Sequence, residues 1–231
     1  MANFINFPST DELNSRLAQR ITQELQKGLE TKGKASLVVS GGRTPLGLFK
    51  LLSQQTLDWD KVTITLADER WVDLHNESSN EKLVRENLLQ GKAATANFVS
   101  LKSPAQTPFE GASDIEPRLN AMAKPFDVVI LGMGDDGHTA SLFPGATNLF
   151  PALDMKSGHL CMGMTPLTAP LDRITLTLPA LLNSRQIFLH LVGEGKRAVY
   201  QQAQEGDDVN EMPVRSVLHQ NKTPVDVFWS A

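Results

Sequence analysis

Residues 126–145 read Phe126-Asp127-Val128-Val129-Ile130-Leu131-Gly132-Met133-Gly134-Asp135-Asp136-Gly137-His138-Thr139-Ala140-Ser141-Leu142-Phe143-Pro144-Gly145. An apolar, β-branched run empties into a turn rich in glycine and aspartate, and the turn delivers one histidine to the next segment. An open α/β protein places a reactive group in this way, at the carboxyl end of a strand. Glycines let the backbone come close to a ligand, and histidine is the side chain best suited to move a proton near neutral pH. The loop is the expected centre of an active site.

Elsewhere the chain alternates in the same manner. Leu13, Leu17, Ile21, Leu25 and Leu29 recur every four residues, which predicts an amphipathic helix, and Gly33 is placed to stop it. Residues 35–40 predict a buried strand, followed by the tight turn Gly41-Gly42-Arg43, with Thr44 and Pro45 as N-cap and first-turn proline of a second helix. Residues 62–67 predict another strand that ends in Asp68-Glu69-Arg70-Trp71, and Ser78-Ser79-Asn80-Glu81 contains a capping box for a helix to about Leu89. Residues 97–101 predict a short strand, and residues 103–111, with Pro104 and Pro108, form the most linker-like stretch. Pro117 either kinks or starts the helix that precedes Lys124.

Beyond the histidine loop, strands are predicted at 160–164, 174–177, 186–192 and 225–229. A short helix initiated by Pro179 and a helix over 196–204 are predicted. This alternation predicts one α/β domain over residues 1–231, with a mainly parallel, Rossmann-like sheet and helices on both faces. Its 231 residues, 41% hydrophobic and 21% charged, suit that size and class. The net charge of −4 and the lack of a basic run exclude a nucleic acid or an anionic membrane surface as the expected partner. The N-terminus lacks the pattern of a signal peptide, and no apolar run nears the roughly eighteen residues of a membrane span. The single Cys161 reads as a buried hydrophobe, and a cytoplasmic location is expected.

Three loops carry candidate chemistry. Gly132-x-Gly134-x-x-Gly137 matches the dinucleotide fingerprint formally, with a strand before it and a helix expected after it. The acidic residue about twenty positions on, Asp154, does not end a strand, and two loop aspartates would repel a pyrophosphate, so no nicotinamide cofactor is expected. Ser40-Gly41-Gly42-Arg43-Thr44-Pro45 fits an anion site, with small residues exposing backbone N–H groups at a strand end. Gly193-Glu194-Gly195-Lys196-Arg197 repeats the strand–glycine–helix pattern.

Arg70 alone reads as an ion-pair partner of Asp68 or Glu69, and Arg173 alone as a surface charge. Their convergence with Arg43 and Lys196 at strand ends points to a phosphate-bearing ligand. For His138, either loop aspartate could orient the ring. His75, His159, His190 and His219 are scattered without metal-ligand spacing, so His138 reads as an acid–base group without metal.

The blocks Ser40-Gly41-Gly42-Arg43-Thr44-Pro45, Ala67-Asp68-Glu69-Arg70-Trp71-Val72, the run from Gly132 to Pro144, Arg173-Ile174-Thr175-Leu176-Thr177 and the 193–196 turn span nearly the whole chain in order. On these blocks the chain resembles the 6-phosphogluconolactonase family, within the superfamily that includes glucosamine-6-phosphate deaminase. The resemblance implies the deaminase-related α/β fold, no cofactor, and hydrolysis of 6-phospho-D-glucono-1,5-lactone in the oxidative pentose phosphate pathway. A sugar-phosphate lactone is the expected small-molecule partner, and a monomer is favoured over an oligomer. His138 would act as base, with Asp68 holding either the histidine or a substrate hydroxyl. Gly41, Gly42, Arg43, Arg70 and Lys196, with Arg173 as a further member, would hold the phosphate. Deaminases carry an acid a few residues after the histidine; Phe143 stands there in this chain.

Overall fold

The computed structural model describes residues 2–231. The first half runs β1 (Asn3–Phe7), α1 (Thr10–Lys32), β2 (Ala35–Val39), α2 (Leu46–Leu52), β3 (Val62–Leu66), β4 (Asp68–Arg70), α3 (Asn80–Asn87), β5 (Asn97–Val99) and α4 (Pro108–Ala121). The second runs β6 (Val128–Leu131), α5 (Leu149–Leu153), β7 (Cys161–Met164), β8 (Arg173–Leu176), α6 (Leu178–Leu182), β9 (Ile187–Val192), α7 (Glu194–Glu205), α8 (Arg215–Leu218) and β10 (Val225–Ser230).

Local chemistry sets most of these boundaries. Ser9 caps α1 by accepting from the Glu12 amide, and Gly33 ends it in the left-handed conformation at φ 68°, donating to the Leu29 carbonyl. Along the helix Leu13, Leu17, Ile21 and Leu25 are fully buried, with Leu29 packed at the edge of the same core. Strands β2 and β6 are buried along their whole length, as strands covered on both faces must be.

Seven strands form one parallel sheet in the order β1-β10-β9-β6-β2-β3-β5. From β2 the chain winds outward through β3 to β5, then returns to the other side of β2 and winds the opposite way through β6, β9 and β10. The reversal falls between β2 and β6. At such a point the loops leaving adjacent strands diverge and open a crevice at the carboxyl ends, the usual ligand position of this architecture. The glycine-rich loops after β2, β6 and β9 all leave from this end.

Several expectations need correction. Asp68, Glu69 and Arg70 do not merely end β3; they form β4, in a second, antiparallel sheet of order β4-β8-β7. α2 starts one residue later than predicted: its N-cap is Pro45, without a side-chain cap, so Thr44 does not cap. Ser79, not Ser78, caps α3, accepting from the Lys82 amide, and the Glu81 side chain accepts from Arg85 instead of closing a reciprocal box. The reciprocal capping box lies within the expected linker, between Thr107 and Glu110, and starts α4 with Pro117 inside it. β1 was not predicted; its partner β10 lies at the far end of the chain. No helix follows the His138 loop until Leu149.

Candidate active site

Beyond β6 the loop folds back on itself rather than entering a helix. The Gly134 amide donates to the His138 carbonyl at 2.8 Å, and the Thr139 hydroxyl donates to the Gly132 carbonyl at 2.8 Å. Ala140 holds a left-handed φ of 49°, unusual for a residue with a side chain and a form of strain often stored at functional loops. Gly134 is required for a different reason: a Cβ there would lie 2.1 Å from the Nδ1 atom of His138.

The ring of His138 is held on two sides. Its Nδ1 lies 2.6 Å from the Oδ1 of Asp136, which also accepts from the His138 amide at 3.1 Å. Phe143 stacks on it with ring centroids 4.1 Å apart. Partial burial works against ionisation of Asp136, but the hydrogen bonds and charge of His138 outweigh it and hold the carboxyl at about 2. An ionised carboxylate only accepts, so the ring proton of the neutral imidazole sits on Nδ1 and leaves the Nε2 lone pair free.

Asp68 does not hold the histidine. Its Oδ2 accepts from the Ser141 hydroxyl at 2.6 Å, and the Ser141 amide donates to Thr175 on β8, tying the loop to the second sheet. The neighbouring Glu69 is turned inward, where it accepts from the amides of Arg70, Asn80 and Glu81 and from the Ser79 hydroxyl. Burial pushes its carboxyl up, while those amides pull it down. This clamp fastens β4 to the start of α3 and so positions Arg70 and Asn80.

A cavity of about 220 Å³ opens at the crevice between β2 and β6. Gly41, Gly42, Asp68, Arg70, His138 and Lys196 all line it, although they are separated by up to 155 residues (41 to 196) in the chain. Arg70 forms no ion pair with Asp68 or Glu69; its Nη1 donates to the Ser78 carbonyl at 2.8 Å. Lys196 reaches Asp135 at 2.5 Å. Arg43 and Arg173 are not brought to the lining. Arg43 is exposed to solvent. Arg173, expected at the surface when read alone, is buried, with its guanidinium 5.9 Å from the Phe143 ring centre, behind the stacked histidine. Burial lowers its pKa, and the charge of Arg70, its register partner, lowers it further.

Two lining residues escaped sequence reasoning. Asn80 reads there only as part of a cap, and His190 only as one of the scattered histidines. A histidine inside Ile187-Phe188-Leu189-His190-Leu191-Val192 is nevertheless a visible signal, a polar group in a strand that is otherwise wholly apolar. Among the described residues no group of three or more His, Cys, Asp or Glu side chains is arranged to hold a metal ion.

A family model described as glucosamine-6-phosphate isomerases/6-phosphogluconolactonase matches residues 8–229. The chain belongs to this family. Among its members, a 6-phosphogluconolactonase of Rhizobium meliloti (strain 1021) is 41% identical over 229 residues, with 99% of each chain covered. The crystal structure of a 6-phosphogluconolactonase from Shewanella baltica OS155 matches with a TM-score of 0.98 at 54% identity, covering 100% of this chain and 98% of that one. A monomeric glucosamine-6-phosphate deaminase matches with a TM-score of 0.80 at 17% identity, over 97% of this chain and 96% of its own, a likeness of fold alone. The deaminase-related sheet expected from the sequence is therefore the family fold.

Proposed function

We propose that this chain hydrolyses 6-phospho-D-glucono-1,5-lactone to 6-phosphogluconate, the lactone step of the oxidative pentose phosphate pathway, by general acid–base catalysis without a metal. The observation that carries the reading is the histidine: Asp136 holds Nδ1, and Nε2 is left free beside a cavity that also takes in Arg70 and Lys196. Nε2 accepts a proton from water as its oxygen attacks the lactone carbonyl. The imidazolium then returns that proton to the departing ring oxygen, so no net proton stays on the enzyme. Asp136 stabilises the imidazolium while it exists, as a carboxylate does beside any catalytic histidine of this type.

Arg70, Lys196 and the backbone of Gly41 and Gly42 hold the 6-phosphate, and Asp68, with Oδ2 committed to Ser141, offers Oδ1 to a substrate hydroxyl. Positioning of this kind supplies much of a rate enhancement, and a general base adds about a hundred- to ten-thousand-fold. Phe143 favours lactone hydrolysis over amino-sugar deamination. An aromatic ring packs on the histidine at the position where deaminases of the superfamily carry an acid.

The test is a coupled assay in which glucose-6-phosphate dehydrogenase generates the lactone and proton release is followed with and without the protein. The expected result is acceleration over spontaneous hydrolysis, with kcat reduced by about a hundredfold or more in His138→Asn while 6-phosphogluconate affinity is retained. Near-normal turnover by the folded Asn variant would remove His138 from the proton transfer.

A further inference from the structure

His190 lies within β9, where every neighbour on the strand is apolar. It is 4% exposed, and neither ring nitrogen has a hydrogen-bond partner. It nonetheless lines the same cavity as His138, Arg70 and Lys196. A core position fully surrounded by protein would gain from leucine or phenylalanine here, because a buried polar atom without a partner is destabilising.

Asn80 repeats the pattern from another wall of the cavity. Its Nδ2 donates to the Asp68 carbonyl at 2.9 Å, which fixes the amide, while Oδ1 is buried without a partner. The loop backbone at Gly41 crowds that oxygen so closely that a Cβ would sit 1.9 Å from it. The cavity therefore holds two buried polar groups with unused hydrogen-bonding capacity, neither of them charged. Burial pushes His190 down to about 4, so near neutral pH its ring offers one donor and one acceptor.

On the lactonase reading, the phosphate is matched by cations and the carbonyl by His138. Asp68 takes one hydroxyl, and the part of a phosphorylated sugar lactone left unmatched is its other ring hydroxyls, which both donate and accept. We propose that His190 hydrogen-bonds a ring hydroxyl of the sugar lactone and so sets which sugar the site accepts. This inference rests on the lactonase reading. Asn80 presents a second acceptor to the same ring, but its variants would also release Asp68, so His190 is the position to test.

The experiment compares wild type, His190→Leu and His190→Gln on 6-phosphogluconolactone and on its 2-, 3- and 4-deoxy counterparts. His190→Leu is expected to lower kcat/KM on the full lactone by about tenfold, mainly through KM, while raising the unfolding temperature. On one deoxy lactone, the one lacking the contacted hydroxyl, wild type and variant should become equal. His190→Gln, which keeps a donor and an acceptor, should recover part of the loss. If the leucine variant fails to fold, nitrogen NMR of wild-type His190 decides the matter: 6-phosphogluconate should shift its ring signals.

Equal kcat/KM for wild type and His190→Leu on every lactone, a loss that does not depend on any hydroxyl, or unmoved ring signals would each overturn the assignment. Absence of wild-type turnover on the full lactone would instead overturn the lactonase reading itself.

Discussion

Gly134→Ala should disable the site without unfolding the protein. A methyl group there would lie 2.1 Å from Nδ1 and 2.2 Å from Cε1 of His138, and 2.6 Å from Oδ1 of Asp136. Ordinary contact begins near 3.4 Å, so the ring must retreat by about 1.3 Å, the difference between 3.4 and 2.1 Å. The backbone at residue 134 is not left-handed, so alanine adds no strain of its own. The His138 side chain is 29% exposed and can swing outward, away from Asp136. Overpacking is then relieved into solvent, and the stability cost should stay near the low end of the usual range, about 1 kcal/mol. Catalysis has no such relief, since a misplacement of about 1 Å can cost about a hundredfold. Lactone turnover should fall by that order, with 6-phosphogluconate affinity by calorimetry and the unfolding midpoint little changed. Background hydrolysis is subtracted at each pH. Near wild-type turnover in a folded Gly134→Ala protein would refute the argument that the Asp136-bound ring position is the reactive one.

Three further outcomes are expected. Arg70→Ala should lower kcat/KM on the phosphorylated lactone by about ten- to a hundredfold, the scale of one charge-assisted contact, and far less on unphosphorylated gluconolactone; an equal loss on both would dissociate Arg70 from phosphate. Dialysis against EDTA should leave turnover intact, and activity restored by a single divalent ion would count against acid–base chemistry alone. His190, lowered by burial to about 4, makes the fold acid-sensitive. Between the unfolded value of about 6.5 and that value the unfolded chain binds a proton that the folded chain refuses, so stability falls with pH by up to about 3 kcal/mol. Urea titrations of wild type and His190→Leu should therefore diverge as the pH drops through this window; parallel curves would contradict it.

The loop at 132–145 was legible because its signals are local: an apolar β-branched run, glycines and one histidine in sequence. Helix α1 was legible for the same reason, since its leucines repeat at the helical period and Gly33 sits at the stop. The capping box at Thr107 was equally local but hidden by two prolines, which read as linker although Pro108 occupies the helix start, where its missing N–H costs nothing. β1 was not legible, because five residues become a strand only when β10 supplies their hydrogen bonds.

By itself, then, the order of residues determined the alternating α/β pattern, the placement of glycine-rich loops after β2, β6 and β9, and the polar residue types each loop carries. These depend on side-chain period and turn chemistry, which act over a few residues. Which groups meet was settled only by the tertiary structure. Reversal of the winding between β2 and β6 brings the loops to one crevice, and the second sheet sets Arg70 beside it while burying Arg173 behind Phe143. Pairing at that scale also joined Asp68 to Ser141 and brought His190 to the lining of the cavity. Each of these outcomes depends on strand order and register, contacts between residues far apart in the chain that no local pattern encodes.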